Sequence, residues 1–320
     1  QMIFVVSFLL LTVYSFSQVD LNLTLSSNPV YQSFQKQLTY LGYFNRPLST
    51  AIYIFILLCL FAVYAYSHKF KRIWLAILAT VIILLPAYPA FSHDIFNYMF
   101  DARIVTKYGL SPWEYKALDF PADTWTRFMR WTHRPSVYPP VWIGISLLPS
   151  LLGLGKFTLT LFLFKLLAAS FYLGCCKLIS KLNHPALVLF AFNPLVIIET
   201  LVNGHMEIAM AFFGLLAIYL SRRKLLSWLS FFASIGIKYM TVWLLPVIIN
   251  PKYLRQSVWL GIVLVIAWVI YYGFQPWYLL WVLPFVYLLP LNSLEVKLLT
   301  LASIAALFWN VPFVVGLLPW

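Results

Sequence analysis

Carboxylates are scarce in this chain. It holds nine Asp and Glu in 320 residues, against 22 Lys and Arg. Charged residues of both signs make up 10% of it, where an ordinary soluble domain carries about a quarter. So little charge cannot cover a water-exposed surface, which excludes a soluble globular domain. Cysteine is equally scarce. Cys59, Cys175 and Cys176 all sit in apolar runs, so neither a disulfide framework nor a CxxC metal pattern is available. There is no GxSxG, HExxH, P-loop or dinucleotide GxGxxG, and serine hydrolase, zinc protease and ATPase readings have no support. No repeat or low-complexity linker is visible. No stretch is long enough for the soluble nucleotide-binding domain that a nucleotide-sugar enzyme would need.

What fills the chain instead is apolar: 62% of residues are hydrophobic. Apolar runs of about 18 residues recur along the length, each enough to cross a hydrocarbon core of roughly 30 Å. The runs do not alternate as barrel strands do. The expected fold is therefore all-α, a polytopic transmembrane helical bundle. Its ten or eleven spans lie near 2–17, 49–67, 73–91, 137–153, 157–179, 185–202, 205–221, 225–249, 257–273, 276–290 and 297–317. The chain opens on Gln1, and residues 2–17 read as a retained span, since no small-residue cleavage site follows them.

The chain reads as one integral membrane domain over 1–320, with two polar stretches at 18–48 and 92–136. The second carries Trp125, Trp131 and many charges, a composition that suits short interfacial helices. The net charge of +13 is not a nucleic-acid signal, because Lys and Arg gather in short turns: HKFKR at 68–72, CKLISK at 176–181, SRRK at 221–224. Such turns mark cytoplasmic loops and hold anionic headgroups of membrane lipid. With HKFKR inside, 18–48 and 92–136 fall outside. Placing the other two basic turns inside as well needs an odd number of crossings between 136 and 176, where two runs are visible. One of those runs is expected to be short or re-entrant.

The rare acids are not spread evenly. Asp94, Asp101, Glu114, Asp119 and Asp123 fall within thirty positions. A solvated loop would carry them at no cost, yet Asp94 stands two residues past an apolar run ending AYPAF, at the mouth of the membrane. A carboxylate there is partly desolvated, which raises its pKa and suits a general base. Asp101 follows at seven residues and Tyr98 at four, so a helix puts all three on one face. Arg103 and Lys107 come next. The stretch RFMRWTHRPSVYPPVW, residues 127–142, crowds Arg127, Arg130, His133 and Arg134 against the next apolar run. They serve either as headgroup anchors or as a phosphate site, for which arginine's planar fork is suited.

In NPLVIIETLVNGHMEIAM, residues 193–210, Glu199, Asn203, His205 and Glu207 lie inside or beside apolar runs. Ionisable groups at such depth usually line a cavity or pathway, unless residues 203–205 form a short wet loop. Lys238 is a further intramembrane charge, either the partner of a carboxylate or a phosphate ligand. QPWYLLWVLP, residues 275–284, supplies aromatic anchors with Trp277 among them, which could also stack on sugar.

In this order the motifs resemble the GT-C superfamily of integral-membrane glycosyltransferases. The chain is most similar to bacterial polyprenyl-phosphate-mannose-dependent α-mannosyltransferases. The matching residues are Asp94, Tyr98, Asp101, Ala102-Arg103 where the family has Gly-Arg, and Gly109-Leu110-Ser111-Pro112-Trp113 where it ends in Tyr. Then come YPP at 138–140, NPL at 193–195, the Glu199 to Glu207 stretch with Glu207 where the family often has Asp, Lys238-Tyr239, and PWYLLW at 276–281. The resemblance covers about residues 75–290. It implies a lipid-phosphate sugar donor and a site on the non-cytoplasmic side of the cell membrane.

On that reading a hexose, mannose first, passes from polyprenyl phosphate to a glycan or glycolipid acceptor by inverting single displacement. Asp94 is the expected base, with Asp101 beside it in the catalytic loop. Arg130, Arg134, His205 and Lys238 are candidates for the donor phosphate. Tyr98, Arg103, Trp113, Tyr138, Asn203, Glu207 and Trp277 are candidates for substrate contact. No cofactor or metal follows from the spacing, and no nucleic-acid partner is expected. The rival readings are a transporter or flippase of lipid-linked sugars, and a non-catalytic scaffold subunit.

Overall fold

The computed structural model describes residues 2–317. Gln1, and the chain after 317, lie outside the described residues. The protein is an all-helical bundle, and among the described residues there is no strand, only one isolated bridge between Lys116 and Pro135. Apolar residues without alternation specify helix, and in lipid a helix satisfies its own backbone.

The chain begins with α1 (Met2–Ser15), crosses a polar segment, and continues through α2 (Pro29–Phe44), α3 (Arg46–Tyr66) and α4 (Ile73–Leu84). Pro86 and Pro89 forbid continuation of α4. The backbone runs extended until α5 (Asp94–Tyr108), which Gly109 ends in the left-handed region at φ 67°. After loops with short 3-10 turns come α6 (Pro140–Leu152), α7 (Phe157–Leu182), α8 (Ala186–Ala191) and α9 (Pro194–Ile197). The last runs into a π-helical turn at Ile198–Val202. Then follow α10 (Glu207–Tyr219), α11 (Lys224–Ile237), α12 (Leu245–Ile249), α13 (Leu254–Tyr272), α14 (Leu283–Val286), α15 (Leu294–Ala306) and α16 (Val311–Val315).

Among the described residues four helices are long and apolar enough to cross a membrane: Arg46–Lys69, Phe157–Leu182, Pro251–Tyr272 and Leu294–Val315. A fifth span is reached if Pro194–Val202 and Glu207–Tyr219, bent by 115° at the break between them, count as one. This is a multi-pass membrane protein. It has fewer full-length spans than the ten or eleven apolar runs suggest, because several runs are cut into shorter apolar helices. Ile73–Leu84, Pro140–Leu152, Lys224–Ile237 and Tyr239–Ile249 are among them. Proline and buried polar groups do the cutting: Pro246 and Pro284 open new helices, and Lys238 ends α11 in an extended conformation.

The core is one contiguous apolar cluster in which α9 is wholly buried and α5 and α10 are mostly buried. The leucines and isoleucines of α13, by contrast, are largely exposed, as a lipid-facing span requires. Helix α10 packs against α7 and α11, and α5 against α6. That arrangement brings the N-terminus of α5 over the break before α10.

Candidate active site

Four chain segments meet at that break. The first is the start of α5, where Asp94 is the opening residue and its charge lies at the positive end of the helix. The second is the turn 203–206. Its backbone reverses at Gly204, whose φ of +74° is the left-handed region that favours glycine. The third is Lys238 at the end of α11. The fourth is the aromatic 3-10 turn Pro276–Trp281.

His205 is the hub. Its Nδ1 lies 3.8 Å from Asp94 Oδ2 and 3.6 Å from Glu207 Oε2, and its Nε2 lies 3.3 Å from Glu199 Oε2. Its ring stacks on Trp277, centroids 4.5 Å apart. Asn203 Nδ2 donates to Glu199 Oε2 at 2.8 Å, while its Oδ1 accepts from the Phe91 backbone at 3.1 Å. One amide thus ties the extended approach to α5 to the turn. On the far side of Glu207, Lys238 Nζ and Trp281 Nε1 both donate to Oε1, and the ammonium sits 5.1 Å over the Trp281 ring.

Three carboxylates thus surround one imidazole and one ammonium. Only their exposure separates them: the side chains of Glu199 and Glu207 are 1% exposed, that of Asp94 is 20%. Buried carboxylates of this kind need charged partners, which they have here. Burial pushes the Asp94 carboxyl above the usual carboxylate range. The nearby His205, Lys238 and Arg134 offset it in part, and Glu207 adds to it.

Asp101 lies two helical turns further along α5, against Ser136 and Arg134, in a pocket also lined by Asn97, Trp131 and Tyr138. Burial pushes its carboxyl up to about 7, against a Ser136 hydrogen bond and the charge of Arg134. Asn97 Nδ2 donates to the Trp131 carbonyl, and its buried Oδ1 has no hydrogen-bond partner among the described residues.

The other sequence candidates fall at stated distances from this centre. Tyr98 is buried edge-on to Tyr138 at 4.8 Å and to Trp142 at 5.2 Å, an aromatic layer between α5 and α6. Trp113 is half exposed and donates from Nε1 to the Tyr138 carbonyl at 2.9 Å. Arg103 is turned away. It donates to Asp123 Oδ2 at 2.7 Å, an oxygen shared with Lys107 and Tyr108, and stacks over Trp125 at 4.0 Å. Burial would raise the Asp123 carboxyl, but these three donors outweigh it and hold it below the ordinary range. Arg130 and Arg134 are exposed and make no ion pair within 4 Å among the described residues. Arg134 rests over the Trp131 ring at 4.6 Å. Arg130 acts on His93, whose pKa burial and this charge lower to about 4.

Two contributors have no role in the sequence reading. Trp281 shares the PWYLLW motif with Trp277. Lys165, buried in α7, donates to the main-chain oxygens of Leu201 and Val202. A lone lysine in an apolar run is itself a signal. No group of three or more His, Cys, Asp or Glu among the described residues is arranged to hold a metal ion.

Residues 5–254 match the family model MptA_B, described as alpha-(1->6)-mannopyranosyltransferase, N-terminal domain. No curated protein and no solved structure matches the chain.

Proposed function

We propose, since the chain belongs to the MptA_B family of alpha-(1->6)-mannopyranosyltransferases, that the cluster at Asp94 transfers mannose from a polyprenyl-phosphate donor to a glycan or glycolipid hydroxyl. The protein is a membrane glycosyltransferase. The donor, the acceptor, the inverting course and the non-cytoplasmic face of the cell membrane are this proposal. The observation that carries it is the exposure of Asp94. It alone among the three clustered carboxylates reaches solvent, and so can meet a substrate.

The step balances as follows. The acceptor O–H gives its proton to the Asp94 carboxylate, and the oxygen forms a bond to the anomeric carbon. The bond from that carbon to the donor phosphate oxygen breaks on the opposite face, and polyprenyl phosphate leaves with the electron pair. Positioned general bases contribute roughly 10²–10⁴-fold. His205, held between Asp94 and Glu199, fixes the direction of the base. Lys238 is committed to Glu207, so it stabilises the cluster rather than the leaving group. The unpaired Arg130 and Arg134 at the rim suit the leaving phosphate, since charge set in place before the reaction is usually a large term. Asn97 and Asp101 continue the helix face of Asp94, and Trp131 of the following loop lines their pocket.

The test uses purified protein in nanodiscs, short-chain polyprenyl-phosphate mannose and glycolipid acceptors, with release of polyprenyl phosphate as readout. The native protein should release it, and Asp94→Asn should lose at least a hundredfold with folding intact. Equal release in both removes Asp94 from the mechanism. No release with any hexose donor overturns the polyprenyl-phosphate donor proposed here.

A further inference from the structure

Lys165 stands in the middle of α7, a helix long enough to cross the membrane, with a relative exposure of 3%. No carboxylate lies within 4 Å of its ammonium among the described residues. Instead its Nζ donates to the carbonyl oxygens of Leu201, and of Val202 at 2.7 Å. These two carbonyls end the π-helical turn, where the break at 203 removes the next helical N–H groups. Buried carbonyls at such a break need a donor from elsewhere. An apolar neighbour with a water could serve a structural purpose as well, so the choice of a buried charge calls for a reason.

The reason lies in what the two carbonyls carry. Glu199 lies two residues before the pair, and Asn203, Gly204 and His205 follow it directly. The turn is otherwise held by its own backbone: Asn203 N–H to Ile198 O at 2.9 Å and His205 N–H to Glu199 O at 3.0 Å. Its side-chain ties, Asn203 to Glu199 and to Phe91, lie on the face towards α5. Lys165 holds it from α7, a different element. A cation at the C-terminal end of a half-helix also meets that end's partial negative charge.

Resting on the transferase reading above, we infer that Lys165 is a positioning residue for the catalytic cluster. It clamps the C-terminal end of the π-helical turn so that His205 keeps its place against Asp94 and Glu199. It touches no substrate.

The experiment compares Lys165→Met with Lys165→Arg, which retains donors, and with Tyr172→Phe. Tyr172, also on α7, donates a buried hydrogen bond to the Ala191 carbonyl at 2.6 Å, remote from the cluster, so its loss measures generic damage. Two readouts are taken on protein in nanodiscs: hydrogen exchange over residues 198–207, and kcat and donor KM with polyprenyl-phosphate mannose. In Lys165→Met, protection over 198–207 should fall about tenfold and kcat at least tenfold, with donor KM changed less than twofold. Lys165→Arg should recover part of both, and Tyr172→Phe should alter neither. Should Lys165→Met not fold, Lys165→Gln, with a shorter donor arm, takes its place.

Native-like protection over 198–207 in Lys165→Met overturns the inference whatever the activity shows. So does an equal loss in Tyr172→Phe, or a rise in KM with kcat kept. If the native protein transfers no sugar, the transferase reading fails, and the exchange readout still decides whether Lys165 clamps the turn.

Discussion

Asp94 and Asp101 share one helix and one chemistry, and their surroundings assign them different work. Asp94 is partly exposed among His205, Lys238 and Arg134, and Asp101 is buried beside Ser136. To act as the proposed base Asp94 must be ionised, and burial raises its pKa. Transfer should therefore fall on acidification at a pH above the free-carboxylate value of about 4, as kcat/KM against pH would show. An acid limb at or below that value would point to a different base. Asp101 tests the other side of the same physics. Its folded pKa of about 7 exceeds the unfolded ~3.9, so the folded state binds more protons between those values. Stability therefore declines as pH rises through that window, by a few kcal/mol at most on the order-of-magnitude scale of linkage. Asp101→Asn should raise Tm more at pH 8 than at pH 5, and equal gains at both would refute burial as the cause. At this scale the sequence was informative where charge is costly. Asn203, His205, Glu207, Lys238 and Trp277 gather with Asp94 because polar groups at membrane depth must find each other. It was silent where charge is cheap: nothing near Arg103 announces that Asp123, twenty positions on, takes its guanidinium.

The element that makes the site is the broken span, and its hinge is Gly204. At φ +74° a side chain is strained, and a Cβ there would stand 2.7 Å from Ile95 Cδ1 in α5. Gly204→Ala should therefore cost roughly 1–2 kcal/mol in backbone strain, with the tip of Ile95 shifting to make room. A fall in Tm of several degrees with activity reduced at least tenfold is expected. A variant of native Tm and native activity would show that the turn does not need this conformation. The Asn-Gly pair at 203–204 was a visible turn signal. The bend of 115° was not, because both flanking segments read as ordinary apolar spans. Nor was the π-helical turn that carries Glu199, since its extra residue leaves no mark in an apolar run. The same limit explains the span count: an apolar run shows that a segment avoids water, whereas protein burial and lipid exposure look alike in composition.

For the whole molecule, helix length bears on the crossing parity that composition left open. Helix α6 has 13 residues and spans about 20 Å, short of a hydrocarbon core of roughly 30 Å, whereas the 26 residues of α7 span about 39 Å. One crossing between 136 and 176 then separates the polar segment 92–136 from the basic turn at 176–181. If the two legs either side of the 203–206 break, bent by 115°, form a re-entrant pair, the basic turn at 221–224 joins the one at 176–181. Lys and Arg in short turns commonly mark the cytoplasmic side, and the proposed non-cytoplasmic position of Asp94 rests on that rule. The native cysteines leave room for a direct test, because Cys175 and Cys176 are buried and Cys59 is half-buried within α3. Glu114 and Arg222 are exposed on the two segments in question. In intact cells a membrane-impermeant maleimide should label Glu114→Cys and leave Arg222→Cys untouched until the membrane is opened. The reverse pattern would turn the cluster towards the cytoplasm. A donor presented on the outer leaflet would then be unreachable, and the lipid-phosphate reading of Arg130 and Arg134 would fall with it.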